Sequence, residues 1–168
     1  VETVDAGVHA EPSDLVELAR TGADAIAVST YNGVALDYLK ALRAALKEAD
    51  LETPILMGGH SDPALKRAAR IGDGWMCAGA DMAQLTDYIT KLNHWRKEYG
   101  TAEKPFKIFT TGQNAFTPEG IAELEALGVT DVVIAFRNVY ELEPDHSLEK
   151  KIQMLNWYAT EFIGPHRA

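Results

Sequence analysis

Gly58, Gly59, His60 and Ser61 are the residues of this chain best suited to chemistry. A glycine pair leaves the backbone free to take positive φ and to approach a ligand closely. The pair follows the apolar run Ile55-Leu56-Met57 and precedes Ser61-Asp62-Pro63, a cap residue with proline at the head of a helix. A strand, a tight turn and a helix in that order set unpaired N–H groups and a positive dipole end beside the glycines, a suitable place for a phosphate. The plainer reading is a turn that serves packing alone, because glycine pairs are common turn punctuation. His60 stands out among five histidines because it follows the pair directly.

In α/β folds ligands bind at the carboxyl ends of the strands. The other residues expected at those ends are Asp5 and His9, Ser29, Thr30, Tyr31 and Asn32, Cys77 and Gly79, Thr110, Gln113 and Asn114, and Arg137 with Asn138. This small, polar set suits hydrogen bonding to a phosphate or a polar cofactor. It does not suit a metal, since His9 and His60 fall on separate loops without a paired carboxylate or an i,i+4 partner. Arg137 is a candidate anion clamp, or else a partner for Glu141 or Glu143. Cys77 follows Trp75-Met76 with no adjacent base and reads as a core thiol. There is no P-loop, no G-x-S-x-G, no H-E-x-x-H and no G-x-G-x-x-G, and no catalytic residue is assigned.

Six strand–helix units would position these residues. Strands are expected over 1–7, 23–28, 55–57, from Trp75, over 106–110 and over 131–136, with 23–28 and 131–136 apolar enough for burial on both faces. The helices between them carry apolar stripes. These are Leu15, Val16, Leu18 and Ala19; Leu36, Leu39, Leu42 and Leu46; Ala64, Leu65, Ala68, Ala69 and Ile71; Met82, Leu85, Ile89, Leu92, Trp95 and Tyr99; and Ile121, Leu124 and Leu127. The last helix turns Leu148, Ile152, Leu155, Ala159 and Phe162 inward, and Trp157 is read as a packing residue. Asp81 with Gln84 has the form of a capping box, and Thr117-Pro118 opens the fifth helix. Alternation of this kind implies parallel pairing and an α/β fold in one domain, 1–168. The sheet is either open and doubly wound or an incomplete barrel.

At 168 residues the chain is short of the ~250 of an eight-unit barrel. A net charge of −9 without a Lys/Arg run argues against nucleic acid and against an anionic membrane surface. One cysteine excludes an internal disulfide and fits a reducing, cytoplasmic setting. No transmembrane stretch or signal peptide is read, and the start at Val1 reads as a fragment, a processed product or an engineered one.

From Pro54 onward the chain resembles the C-terminal half of the luciferase-like, flavin- or deazaflavin-dependent oxidoreductases. The residues that carry this are Pro54-Ile-Leu-Met-Gly-Gly-His-Ser-Asp-Pro-Ala-Leu-Lys-Arg-Ala-Ala-Arg-Ile-Gly-Asp-Gly-Trp75, with Gly128-Val-Thr-Asp-Val-Val-Ile134 in support. The resemblance implies an eight-stranded β/α barrel in which the glycine pair helps hold the cofactor phosphate, so it implicates Gly58, Gly59 and His60. Residues 1–59 look instead like part of a flavodoxin-like, cobalamin-binding domain. There Ala23-Asp-Ala-Ile-Ala-Val-Ser-Thr-Tyr-Asn-Gly-Val-Ala-Leu36 is similar to the segment bearing a serine motif, here Ser29. The D-x-H-x-x-G turn of that family is missing. Together the two resemblances read as an engineered or recombined chimera without catalytic activity, joined at the glycine pair and keeping a phosphate site. The alternatives are a luciferase-like oxidoreductase using FMN or a deazaflavin, and a cobalamin module. The expected partners are a small phosphate-bearing ligand and a second copy of the chain completing the sheet or barrel.

Overall fold

The computed structural model describes residues 2–7, 9–28, 35–112, 114–136 and 146–164. They form α1 (Pro12–Arg20), β1 (Ile26–Val28), α2 (Ala35–Glu48), β2 (Ile55–Gly58), α3 (Asp62–Ile71), β3 (Gly74–Cys77), α4 (Met82–Glu98), β4 (Lys107–Thr111), α5 (Pro118–Ala126), β5 (Asp131–Val133) and α6 (Leu148–Tyr158), which runs on through a π-helical stretch, Ala159–Ile163. The five strands are all parallel and lie in the order β1-β2-β3-β4-β5. The α/β class and the open sheet are as expected. The order has no reversal, and so no switch point of the kind that a doubly wound flavodoxin-like sheet contains. Each strand pairs with the next in sequence, as in barrel winding.

The core lies between the sheet and α2, α3 and α4. Leu39, Leu42 and Leu46 of α2, Leu65 of α3, and Leu85 and Leu92 of α4 are fully buried with Ile55, Trp75 and Cys77. Each such side chain contributes roughly 1.5–3 kcal/mol of burial. The sequence dictates the helix starts. Asp81 and Gln84 form the reciprocal capping box, with Gln84 N donating to Asp81 Oδ1 at 2.8 Å and Asp81 N donating to Gln84 Oε1 at 3.1 Å. Thr117 caps α5 by accepting from Gly120 N at 3.1 Å. At the amino ends of the strands Asp73 ties three elements together. Its carboxylate accepts from Arg43 of α2 at 2.5 Å and from the Ile55 amide of β2 at 2.8 Å, and Arg43 also donates to Ile71 O at 2.8 Å.

Four expectations fail. The strand expected over 23–28 is shorter, Ile26–Val28, and Ala27 is exposed, so it is not buried on both faces. Residues 2–7 are not a strand and are exposed. Glu2, Thr3, Asp5 and Gly7 give this segment little apolar surface, so nothing pins it to the sheet. The strand expected over 131–136 is shorter, Asp131–Val133, and is an edge with Val133 41% exposed. It is buried on both faces only where elements cover both, and none does here among the described residues. The last helix is also misread. Leu148, Ile152, Leu155 and Trp157 are exposed, and α6 has no buried residue. It is held through Tyr158, whose hydroxyl donates to Ala115 O at 2.8 Å, and through ring contacts of Trp157, Tyr158 and Phe162 with one another and with Phe116.

Candidate functional site

The carboxyl ends of β2, β3 and β4 form the site. In register, Gly58 lies beside Met76 and Met76 beside Phe109, with Cys77 beside Thr110. Gly58 and Gly59 are exposed at the turn into α3. Gly59 has φ +101°, and a Cβ there would stand 2.8 Å from the Ala64 Cβ, so helix α3 approaches the turn as closely as it does only because residue 59 is glycine. Gly58 differs, because among the described residues a Cβ on it would meet nothing nearer than Met76 O at 3.9 Å. The closeness at Gly59 is a packing requirement, whereas the open backbone at Gly58 is free for a ligand.

The turn is anchored from below. The Trp75 indole Nε1–H donates to Gly59 O at 2.9 Å. His60 is half-buried, stacked on Tyr88 of α4 with centroids 5.0 Å apart and planes 8° apart, and meets the Trp75 ring edge-on at 6.3 Å. Its Nε2 lies 3.6 Å from Cys77 Sγ. His60 thus holds the turn in place by packing. Ser61 is the N-cap of α3, yet its side chain makes no cap hydrogen bond. Its hydroxyl is therefore available to a ligand at the helix head.

Cys77 is the core thiol that the sequence suggests. Burial pushes it up to about 11, against a small opposing effect of its hydrogen bond with the Ala80 backbone. The thiol keeps its proton at neutral pH, which lowers its reactivity. Labelling of the folded chain with a thiol reagent at pH 7 is expected to be slow, and fast only in denaturant. The folded pKa lies above the ordinary 9.0, so the unfolded chain loses this proton first. Stability is accordingly expected to fall as pH rises from about 9 to about 11. A urea midpoint that drops less over that window in Cys77→Ala than in the parent would confirm the assignment, since Tyr38, Tyr158 and Lys91, also held high, contribute the remaining fall in both.

Beside the anchored turn, a cleft of about 120 Å³ opens between the head of α4 and the end of β4, lined among others by Asp81, Thr110, Thr111 and Asn114. Gly79 N donates to Thr111 Oγ1 at 3.1 Å across it. The volume is below the about 300–1,000 Å³ of typical small-molecule sites. The described residues therefore form a partial wall.

Of the sequence candidates, the structure brings Gly58, Gly59, His60 and Ser61 together at one turn, with Cys77 behind His60. Asp5 is kept apart, accepting from Gly7 N at 2.8 Å in an exposed local turn. Ser29, Thr30, Tyr31, Asn32, Gln113, Arg137 and Asn138 lie outside the described residues. Trp75 and Tyr88 support the site but were not among its candidates. Tyr88 follows Leu85 by three residues, a spacing that places it beside the buried stripe of α4. No group of three or more His, Cys, Asp or Glu able to hold a metal occurs among the described residues, and no described helix is long and apolar enough to cross a membrane.

A family model described as luciferase-like monooxygenase matches residues 9–141. The chain belongs to this family. The luciferase-like match runs without interruption through the glycine pair and includes most of the segment expected to be foreign to it. A chimera and a cobalamin-binding part find no support in it. Uncharacterized proteins of Mycobacterium tuberculosis and Mycobacterium bovis are each 43% identical to the chain over 112 residues, 66% of this chain and 38% of theirs. This luciferase-like chain thus matches little more than a third of the length of those relatives. Among solved structures, the coenzyme F420 dependent tetrahydromethanopterin reductase of Methanopyrus kandleri aligns with 73% of this chain and 53% of its own, at 16% identity and TM-score 0.48.

Proposed function

We propose that this chain supplies the cofactor-phosphate wall of a flavin- or deazaflavin-dependent oxidoreductase. Membership of the luciferase-like family carries the reading. The turn fits such a group on its own terms. Gly58 carries no side chain to stand between its backbone and a ligand, the Ser61 hydroxyl has no cap bond, and the head of α3 adds N–H donors and a positive dipole end. When bound, the isoalloxazine or deazaflavin ring would carry the hydride chemistry. The chain's own residues bind and orient: Gly58 and Gly59 let the backbone approach the phosphate, Ser61 donates to it, and His60 and Trp75 keep the turn from shifting. Ser29, Thr30 and Arg137 belong to the proposal as further donors. The remaining walls come from whatever covers the edges of β1 and β5, whether more of a longer chain or a second copy.

Calorimetric titration with FMN and with a deazaflavin tests this. The expected result is binding that weakens about tenfold in Gly58→Ala while the thermal midpoint stays within a degree or two. Binding that ignores Gly58→Ala, or no binding by a folded chain, would overturn the assignment of the wall.

One charge opposes a phosphate here. The Asp62 carboxylate opens α3 and, among the described residues, is held by Lys91 at 3.7 Å on the surface. Asp62→Asn keeps the shape and removes that repulsion. It is expected to tighten binding of inorganic phosphate or FMN about two- to fivefold at low salt, an effect of order 0.5–1 kcal/mol, with the gain shrinking as salt rises.

A further inference from the structure

At the opposite ends of the strands, away from the glycine turn, a groove of about 510 Å³ is lined by Lys40, Arg43, Lys47, Arg70, Arg96 and Lys104. These are six of the sixteen Lys and Arg residues of a chain with net charge −9. Asp73 is the one acidic residue in the lining, and Glu103 is near enough to act on Arg96. The volume is that of a small-molecule site.

Basic residues gather where helices end, because they neutralise the last carbonyls and the negative dipole end. The groove is such a place: Lys47, Arg70 and Arg96 lie in the last turns of α2, α3 and α4. That structural role accounts for Arg43, spent on Asp73 and Ile71 O, and for Arg96, which donates to Thr101 O at 2.8 Å and to Lys104 O at 2.6 Å. Lys40 pairs with Asp37 at 3.4 Å, whereas the helix-end role leaves Lys47 and Arg70 uncommitted to any one acceptor. Among the described residues Lys47 and Lys104 have no acidic partner, and Arg70 lies over the Tyr99 ring at 5.7 Å. The Arg96 Nε is buried without a hydrogen-bond partner among the described residues. Beneath its guanidinium, 4.4 Å away, lies the Phe106 ring, which gives the groove an apolar floor.

We infer that this groove is a second anion site that binds a small polyphosphate, its separated charges met by Lys47, Arg70 and Lys104 around the fixed Arg43 and Arg96. Several cations spaced along a groove favour several linked charges over one, and Arg and Lys are the side chains that meet phosphate. The inference is independent of the cofactor wall, which lies at the other ends of the strands.

The probes are inorganic tripolyphosphate and inorganic phosphate, titrated calorimetrically into the purified chain at low salt. Tripolyphosphate is expected to bind at least tenfold more tightly than phosphate and to weaken steeply with salt. Lys47→Glu with Lys104→Glu, both surface changes that break no side-chain hydrogen bond or ion pair among the described residues, should reduce its affinity at least tenfold. Lys150→Glu on α6 should leave it unchanged. Equal affinity for phosphate and tripolyphosphate would overturn the inference. So would affinity indifferent to the Lys47/Lys104 reversal, or no binding of tripolyphosphate at millimolar concentration by a cooperatively folded chain.

Discussion

Trp75→Ala is expected to remove about 3–5 kcal/mol of stability, a large fraction of what a domain of this size holds. Trp75 is fully buried, and it reaches from β3 under the turn that follows β2. Its ring meets Tyr88 edge-on at 6.2 Å and His60 at 6.3 Å, and its indole N–H holds Gly59 O. Truncation leaves a cavity below the turn and frees the two rings above it, so the fold and the site loosen together. Trp75→Phe separates the two contributions. Phenylalanine fills most of the space and lacks the N–H, but Gly59 is exposed and water can take its carbonyl. That variant is expected to lose only about 1–2 kcal/mol. Urea unfolding of the three proteins decides it: a midpoint for Trp75→Ala close to the parent, at unchanged slope, would refute the anchoring role.

Gly59→Ala and Gly58→Ala are expected to diverge sharply although they are neighbours of the same type. At Gly59 the new methyl faces a φ of +101° and the Ala64 Cβ at 2.8 Å. Positive φ in a residue with a Cβ costs roughly 1–3 kcal/mol, and forced overpacking adds roughly as much. A combined loss of about 2–6 kcal/mol follows, and α3 must shift. At Gly58 the methyl has room, and stability should stay within about 0.5 kcal/mol of the parent. Loss of ligand binding in a Gly59 variant therefore reports unfolding of the turn as well as loss of contact, and Gly58→Ala is the informative probe of the site. Paired thermal melts test this, and equal melting points for the two variants would show that the turn does not require glycine at 59.

The middle of the chain was legible because its signals are local. Ile55-Leu56-Met57 followed by two glycines marks the end of a strand, and Asp81 with Gln84 marks the start of a helix that caps as it reads. The stripe of Leu39, Leu42 and Leu46 is buried as its spacing demands. What misled was apolar character whose covering partner had to be assumed. Residues 131–136 look like an interior strand, yet β5 is an edge, and the apolar positions of α6 are exposed. Periodicity shows that a face is apolar without showing what packs on it. At the site, the glycine turn was visible, whereas the roles of Trp75 and Tyr88 depend on β3 and α4 meeting at His60, a juxtaposition that no local pattern contains. The supposed change of family at the glycine pair rested on a short serine-bearing segment, and one family spans both sides of it.

Because every strand lies next to its neighbour in sequence, no pairing in this sheet waits for a distant part of the chain. The loops that must close are each about one strand–helix–strand unit long, which keeps the entropy of closure low for a parallel sheet. Such a chain can begin to fold at any one unit and grow outward in both directions, including while it is still being synthesised. Removing a terminal unit takes away one interface and leaves the others intact, so the sequence divides into increments that can be lost or added at the ends without re-threading the sheet.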